Sequence, residues 1–426
     1  MNIHIKNGRL IDPAHKLDTH ADLFIAEGKI VAQGSAPAGF TAQRTIDASG
    51  LVVAPGLIDL AARLREPGFE YRATLESEMD AAMAGGVTSL AIPPDTDPVL
   101  DEPGLVEMLC YRAKKLNRAH IYPVGALTIG LKGERLSEMA ELVEAGCVAF
   151  SQANVPIVDH SVLMRAMQYA ATFDFRVWLQ PTAPFLVRSG VAHDGEVATR
   201  LGLPGIPVAA ETVALYTNIQ LAQVTGARLH VTRLSSAAGL ALIDQARAEG
   251  MDITCDVSIN HLHLSDLDIG YFNPNCHLVP PLRSQRDRDA LRQGLKDGRI
   301  NALCSDHTPV DDDGKIAPFS ESETGATGLE LLLPLTLKWG QECGQGLVDS
   351  LARVTSDAAA IVGITKAGHL SVGARADLCL FDPEAWTTVS RASLKSQGKN
   401  TPFMGLELPG RVRYTLVEGT VMYRAD

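Results

Sequence analysis

Between residues 57 and 304 a short apolar run gives way to an amphipathic stretch again and again, and this alternation constrains the fold more than any other feature. The apolar runs are 57–60 (LIDL), 87–92 (VTSLAI), 121–125 (IYPVG), 147–150 (CVAF), 175–179 (FRVWL), 228–232 (RLHVT), 252–257 (DITCDV) and 300–304 (INALC). Each is too short for a buried helix and has the length of a strand covered on both faces. The stretches between them include 74–84, 102–117, 135–145, 161–172, 210–225, 237–249 and 285–297, all with helical periodicity. Glycines at 85–86, 146, 250 and 298 stand where a helix must stop before the next strand. Strands separated by helices are parallel. Eight of them in about 250 residues predict an α/β fold, a TIM-like (β/α)8 barrel. A doubly wound open sheet fits less well, because no phosphate-binding glycine fingerprint follows the first strand.

The chain ends follow a different pattern. Strand-like segments 3–5 and 9–11 flank Asn7-Gly8, and 21–25 and 29–32 flank Glu27-Gly28. Segments 376–381, 412–417 and 420–423, the last two joined by Glu418-Gly419, repeat this at the other end. Neither end can bury a core alone, so a small β-sandwich domain built from 1–53 with 368–426 is expected beside a barrel of 54–367. Thirty-eight basic against 50 acidic residues give a net charge of −12, which argues against a nucleic-acid or membrane-surface binder. The longest apolar stretch, 329–340, is broken by Glu330, Pro334 and Lys338, so no membrane span is expected. Seven scattered cysteines without a C-x-x-C pair read as free thiols in a reducing cytoplasm.

Barrel chemistry sits where strands end. Those positions hold Ala61, Ala62, Arg63 and Arg65; Pro93, Pro94 and Asp95; Gln152 and Ala153; Gln180; Arg233; Asn260, His261 and His263; and Asp306 and His307. A catalytic zinc needs about three His, Asp, Glu or Cys ligands, and this ring offers chiefly Asp306 amid arginines that repel a cation. No metal or other cofactor is therefore expected. His261 and His263, if on a strand, share one face, and we expect one hydrogen-bonded and one solvent-facing ring. Asp311-Asp312-Asp313-Gly314 lacks the ligand alternation of a calcium loop and is expected to be a solvated turn.

Several motifs together resemble the cyclic amidohydrolases, most closely the type I dihydroorotases. They are Ala54-Pro55-Gly56-Leu57-Ile58-Asp59, Leu64-Arg65-Glu66-Pro67-Gly68, Ala84-Gly85-Gly86-Val87-Thr88, the stretches 144–150 (EAGCVAF) and 253–257 (ITCDV), Asn260-His261-Leu262, Pro280-Pro281-Leu282-Arg283, Ser305-Asp306-His307-Thr308-Pro309 and Asn400-Thr401-Pro402. The resemblance implies an amidohydrolase-type barrel and the interconversion of carbamoyl aspartate and dihydroorotate, a reaction that uses zinc. It also locates what is missing. The family's D-x-H-x-H-x-R reads Asp59-Leu60-Ala61-Ala62-Arg63-Leu64-Arg65 here. The metal-bridging position falls at Gln152-Ala153, and the two later histidine positions at Gln180 and Arg233. Asp306 is the surviving, vestigial ligand. N-T-N-P becomes Asp95-Thr96-Asp97-Pro98, Arg65 matches the substrate-carboxylate arginine, and Val310 replaces a histidine. Arg65, Asn260 and His307 are carried over as substrate-like or anion-binding remnants.

The resemblance thus implies a catalytically inactive dihydroorotase homologue. It further implies a non-catalytic structural subunit supporting the assembly of the aspartate carbamoyltransferase catalytic chain, homo-oligomeric within a larger cytoplasmic complex. Two other readings stay open: an active dihydroorotase, hydantoinase or allantoinase with an unusual metal site, and a metal-free regulatory subunit that binds an anionic metabolite. One physical expectation accompanies them. Arg63 and Arg233 stand where metals would stand, so their guanidiniums should pair with Asp59 and Asp306.

Overall fold

The computed structural model describes residues 1–425. At the N-terminus lie β1 (Ile3–Asp12), β2 (Leu17–Ala26), β3 (Lys29–Gln33), β4 (Arg44–Asp47) and β5 (Val52–Pro55). Then follow β6 (Leu57–Asp59), β7 (Val87–Ile92), β8 (His120–Ala126), β9 (Ala149–Ser151), β10 (Arg176–Leu179), β11 (Ala192–His193), β12 (Gly205–Ile206), β13 (Arg228–Val231), β14 (Ile253–Ser258) and β15 (Ala302–Cys304). The chain closes with β16 (Leu378–Thr388), β17 (Glu407–Val417) and β18 (Thr420–Arg424).

The eight expected apolar runs are the eight strands of one parallel sheet, in the order β15-β14-β13-β10-β9-β8-β7-β6. The seven expected helices lie between them, from Leu75–Ala84 to Gln285–Lys296. Thr74, Ser236 and Ser284 cap their helices by accepting a backbone N–H, which fixes where each begins. Inward-facing Ile58, Ala91, Val124, Ala149, Trp178 and Ala302 fill the barrel, and helix Ser356–Val362 plugs its lower end with Ala358, Ile361 and Val362. The apolar stretch from 329 onward forms a 3₁₀ turn and then helix Leu332–Cys343, which buries Leu333, Leu335, Leu337 and Trp339. The chain between β10 and β13 adds helices Pro184–Val187 and Glu196–Leu201 and the small β11–β12 pair.

β6 and β15 meet along a seam that is stitched and not laddered. Above the strand ends, Ala62 and His307 form a bridge, with Arg63 N–H donating to His307 O (2.9 Å) and His307 N–H to Ala61 O (3.0 Å). The Asp59 carboxylate accepts the Ser305 N–H (2.9 Å) and its hydroxyl. Below, Leu303 and Ile58 donate to the carbonyls of Arg353 and Val354.

Both chain ends share a second sheet, ordered β18-β17-β16-β5-β1-β2-β3 with β4 also on β1. Because side chains alternate across a strand, its two faces do different work. Val53, Leu378 and Leu380 point into a core that belongs to the termini, with Ile3, Ile5, Leu23, Ile25 and Leu416. Their neighbours Val52, Ala54, Cys379 and Phe381 point the other way and merge with the barrel's outer core. Among the described residues no helix is long and apolar enough to cross a membrane.

Candidate functional site

The upper ends of β6, β7, β9, β13 and β15 converge on two buried guanidiniums. Arg63, 6% exposed, donates Nε to Asp95 Oδ2 (2.7 Å), Nη1 to Asp306 Oδ1 (3.3 Å) and Thr308 Oγ1 (3.2 Å), and Nη2 to Asn154 Oδ1 (3.4 Å). Arg233, 4% exposed, donates Nη1 to the same Asp306 oxygen (3.2 Å) and to Val279 O (3.2 Å), and Nη2 to the same Asn154 oxygen (2.6 Å). One carboxylate oxygen and one carboxamide oxygen therefore each bridge both arginines. Two cations face two carboxylates, Asp95 and Asp306, so the cluster is formally neutral, as a buried group of charges must nearly be. Burial pushes the Asp306 carboxyl above its ordinary value, with Arg233 and Arg63 pulling against that. Burial would raise Asp95 too, but the Arg63 guanidinium, with Arg65 and Arg233 behind it, holds that carboxyl low.

The backbone is bent to make this convergence. Arg65, Ala153, Arg233 and Asp306 all take left-handed φ values between 49° and 63°. Such conformations cost on the order of 1 kcal/mol each in a non-glycine residue and gather where side chains must be aimed. Arg233 is held there by its N–H on Asp256 Oδ1 (2.8 Å). Asp256 is fixed in turn by His230 Nε2 (2.9 Å), whose Nδ1 meets Thr254 Oγ1 (2.8 Å).

The expected pairing is half met. Asp306 binds both arginines, but Asp59 binds neither. It lies on the seam, where Ser305 and the Ala61 N–H (3.3 Å) use its oxygens. Asp95 takes the place expected of Asp59. Asn154, which joins the two guanidiniums, carried no sequence signal beyond lying one residue past Ala153. The conversion of N-T-N-P to D-T-D-P was the available clue to Asp95: an added acid opposite an added base.

The other positions separate. Ala61 contributes backbone to the seam. Gln152 is held by Thr128 (2.9 Å), and Gln180 accepts from Thr182 Oγ1; with Ala153 they face an apolar groove of about 370 Å³ and not the arginines. Arg65 donates Nε to Pro309 O (2.8 Å) and has no carboxylate partner among the described residues; burial and the nearby Arg63 lower it to about 10. Asn260 is 1% exposed, and neither its Oδ1 nor its Nδ2 meets a partner among the described residues. His307 does not present itself to a ligand. It is fully buried, its Nδ1 accepts the N–H groups of Gly328 (3.2 Å) and Leu329 (3.3 Å), and its Nε2 therefore donates to Glu78 Oε2 (2.7 Å). Glu78 also accepts from Ser396 Oγ and the Gln397 N–H, so this pair ties the barrel rim to the segment before β17.

His261 and His263 lie not on a strand but on the short helix Ile259–His263, capped by Ser258. His261 bonds Ser258 Oγ (2.9 Å) and Pro281 O (3.1 Å). His263 is half-buried on Leu335 O (2.9 Å), not solvent-facing. Burial lowers them to about 4 and about 3. The 311–314 turn is exposed at Asp312, which pairs with Arg391.

Zinc requires three or four N, O or S donors at about 2.0–2.3 Å. Among the described residues no three His, Cys, Asp or Glu are grouped so that they could hold a metal ion. Asp306 already has its Oδ1 between two guanidiniums, which fill the space a cation would need. The residues present do not fit a zinc centre.

Comparison with known proteins agrees with this architecture. Residues 50–238 match the dihydro-orotase-like family model, and residues 285–423 match that of the amidohydrolase family. The chain is 48% identical to a dihydroorotase-like protein of Pseudomonas aeruginosa, over 98% of this chain and 99% of the relative. A dihydroorotase-like protein of Pseudomonas putida is 47% identical over 99% of each. A dihydroorotase of Geobacter sp. is 38% identical over the full length of both. Among solved structures, an L-hydantoinase (dihydropyrimidinase) from Arthrobacter aurescens superposes with a TM-score of 0.89 at 26% identity, covering 99% of this chain and 96% of that one. The dihydropyrimidinase of Brevibacillus agri, at 21% identity and a TM-score of 0.84 over 100% of this chain and 95% of that one, shares the fold.

Proposed function

Because this chain belongs to the dihydroorotase-like family, we propose that it is a non-catalytic member, a structural subunit that supports assembly of aspartate carbamoyltransferase in pyrimidine synthesis. The observation that carries the first half is the shared Asp306 oxygen. Where the family's hydrolysis needs a Lewis acid to polarise the ring amide and lower the pKa of water, two guanidiniums stand instead. A guanidinium has no open coordination position and does not deprotonate near neutrality, so it can neither bind nor ionise the attacking water. Asp306, the one carboxylate left from the ligand set, is committed through its Oδ1 to both guanidiniums. His307, with one ring nitrogen on Glu78 and the other on the Gly328 and Leu329 N–H groups, has no spare nitrogen.

The partner half rests on the family resemblance: some type I dihydroorotases assemble with the carbamoyltransferase that makes their substrate. A chain that keeps the whole barrel, its strained rim and its charge balance, but not the donors, retains the shape such an assembly would recognise.

The test has two arms. The purified chain is analysed for zinc and assayed for ring opening and closure of dihydroorotate; no stoichiometric metal and no turnover above buffer are expected. Co-expression with an aspartate carbamoyltransferase chain should then give a joint complex whose transferase activity falls when this chain is omitted. Stoichiometric zinc with turnover overturns the first half, and a transferase indifferent to this chain overturns the second.

One observation favours a second reading, a metal-free subunit that senses an anion: Arg65 is buried with no carboxylate in direct contact among the described residues, and Asp95 and Glu323 act on it only from farther off. Dihydroorotate or carbamoyl aspartate should then raise the melting temperature, and the effect should vanish in Arg65→Gln.

A further inference from the structure

The inside of a barrel of this kind is filled by layers of mostly aliphatic side chains. The lowest layer here departs from that. Arg176 opens β10, Arg228 opens β13, and the two are paired in register on neighbouring parallel strands. Side chains alternate across a strand, so Arg176 shares the inward face of Trp178, and Arg228 that of His230; the Trp178 and His230 rings lie 5.0 Å apart. Two like charges side by side on adjacent strands destabilise a sheet.

The surroundings do not settle this pair. Arg176 is half-buried, and its guanidinium makes no hydrogen bond or ion pair among the described residues. Burial, and then the adjacent Arg228, lower its pKa. Arg228 reaches Asp174 (3.2 Å) and Asp252 (3.6 Å), but these carboxylates are 77% and 76% exposed, and pairs so open to water hold weakly. Gly363 ends the plug helix Ser356–Val362 at a left-handed φ of 89°, and a Cβ there would stand 2.6 Å from Arg176 Nη1. That close approach seats the guanidinium without giving it an acceptor. Beside these groups opens a cavity of about 360 Å³, lined by three arginines and two aspartates, which leaves one positive charge over. The third arginine, Arg353, spends Nη1 on Asp357 (2.8 Å), and its buried Nε meets no partner.

We propose that this cavity at the foot of the barrel binds a phosphate group between the guanidiniums of Arg176 and Arg228. Adjacent strands stand about 4.8 Å apart, so two guanidinium forks can close on one tetrahedral dianion. A carboxylate has two oxygens and is saturated by a single fork. The three free oxygens of a phosphate monoester, or the four of the inorganic ion, serve both. The volume lies at the low end of small-molecule pockets, and no Phe, Tyr or Trp lines it to stack on a base. The ligand is therefore inorganic phosphate or the phosphate ester of a small non-aromatic molecule. Filling the site neutralises the like charges that the fold otherwise holds side by side. It lies at the opposite end of the strands from the Arg63–Arg233 cluster and is independent of the proposed role beside a transferase.

Calorimetric titration of the full-length chain, in phosphate-free buffer at fixed ionic strength, tests it. Inorganic phosphate and ribose 5-phosphate are the two probes; at least one should bind saturably, and whichever binds more tightly tells the free ion from the ester. Succinate, a dianion without a phosphate, should bind weaker by roughly tenfold or more. Arg176→Gln should lose roughly tenfold to a hundredfold in phosphate affinity. Should that variant fail to fold, Arg228→Lys serves, since it keeps the charge, loses the fork and should weaken binding severalfold. Phosphate binding should persist in Arg65→Gln, which separates this site from an anion at the barrel mouth. No saturable binding of either probe at millimolar concentration, succinate binding as tightly as phosphate, an affinity that both Arg176→Gln and Arg228→Lys leave unchanged, or binding lost in Arg65→Gln overturns the proposal.

Discussion

Taking away one of the two arginines that share Asp306 isolates what holds the rim together. In Arg233→Met, Asp306 keeps Arg63 at 3.3 Å but loses its second donor at 3.2 Å, and Asn154 loses its shorter bond of 2.6 Å. Removing one partner of a buried ion pair costs about 3–5 kcal/mol. The remaining guanidinium should bring this to the lower end, about 3 kcal/mol. Asp306→Asn keeps the shape and removes the charge; Arg63 retains Asp95, so the loss should be about 2 kcal/mol. Combined, the two changes remove a cation and an anion together. The double variant should then lose about 3 kcal/mol and not about 5, a coupling of about 2 kcal/mol. Urea unfolding followed by tryptophan fluorescence reads all four states, since Trp178 and Trp339 are both inside the barrel unit. Losses that add to within about 0.5 kcal/mol would show that Arg233 and Asp306 act independently, and the picture of guanidiniums serving as the counter-charge would be wrong.

Three further outcomes are expected. His261 at about 4 and His263 at about 3 stay neutral in the fold while an unfolded chain gains protons below about pH 6.5. Stability should therefore be full above that pH and drain as pH falls toward 4, by up to about 1.4 kcal/mol per pH unit for each histidine; a urea midpoint that is flat from about pH 7 to about pH 4.5 contradicts this. Glu78→Leu leaves the His307 ring, the Ser396 hydroxyl and the Gln397 N–H without their acceptor, and at about 1–3 kcal/mol for each buried donor left unsatisfied, about 3–5 kcal/mol should be lost in the same unfolding assay. Prolonged dialysis against EDTA should leave the melting temperature where it was, whereas a fall would indicate a structural ion.

The strand–helix alternation was legible because it is local: each run is short, each helix periodic, and the glycines punctuate them. The terminal segments were legible for the same reason. The positions where the resemblance expects metal ligands were compared one at a time, because a histidine that is not there needs no partner to be noticed. What replaced them was not. Asp59 is four residues from Arg63, and nearness in sequence suggested a pair; the strand instead turns Asp59 across the seam to Ser305, 246 residues away. Asn154 joins Arg63 to Arg233 through an oxygen that only the closed barrel brings between them. His261-x-His263 looked like a strand pattern because β14 ends just before it, and the Ser258 cap that begins a helix there is a single hydroxyl. His307 kept its place in a motif while its ring was committed to Glu78 on a helix read only as amphipathic.

The sheet shared by the chain ends sets a timetable for synthesis. Strand β5 is made early, yet its neighbour β16, which pairs Leu380 with Val53 and Phe381 with Val52, emerges only after the entire barrel has been translated. At about 5–20 residues per second, the open flank of β5 waits roughly 20–60 s on the ribosome. During that interval the nascent chain exposes a naked backbone edge and the aliphatic side chains on both of its faces, so this protein should engage chaperones until its last fifty or so residues arrive.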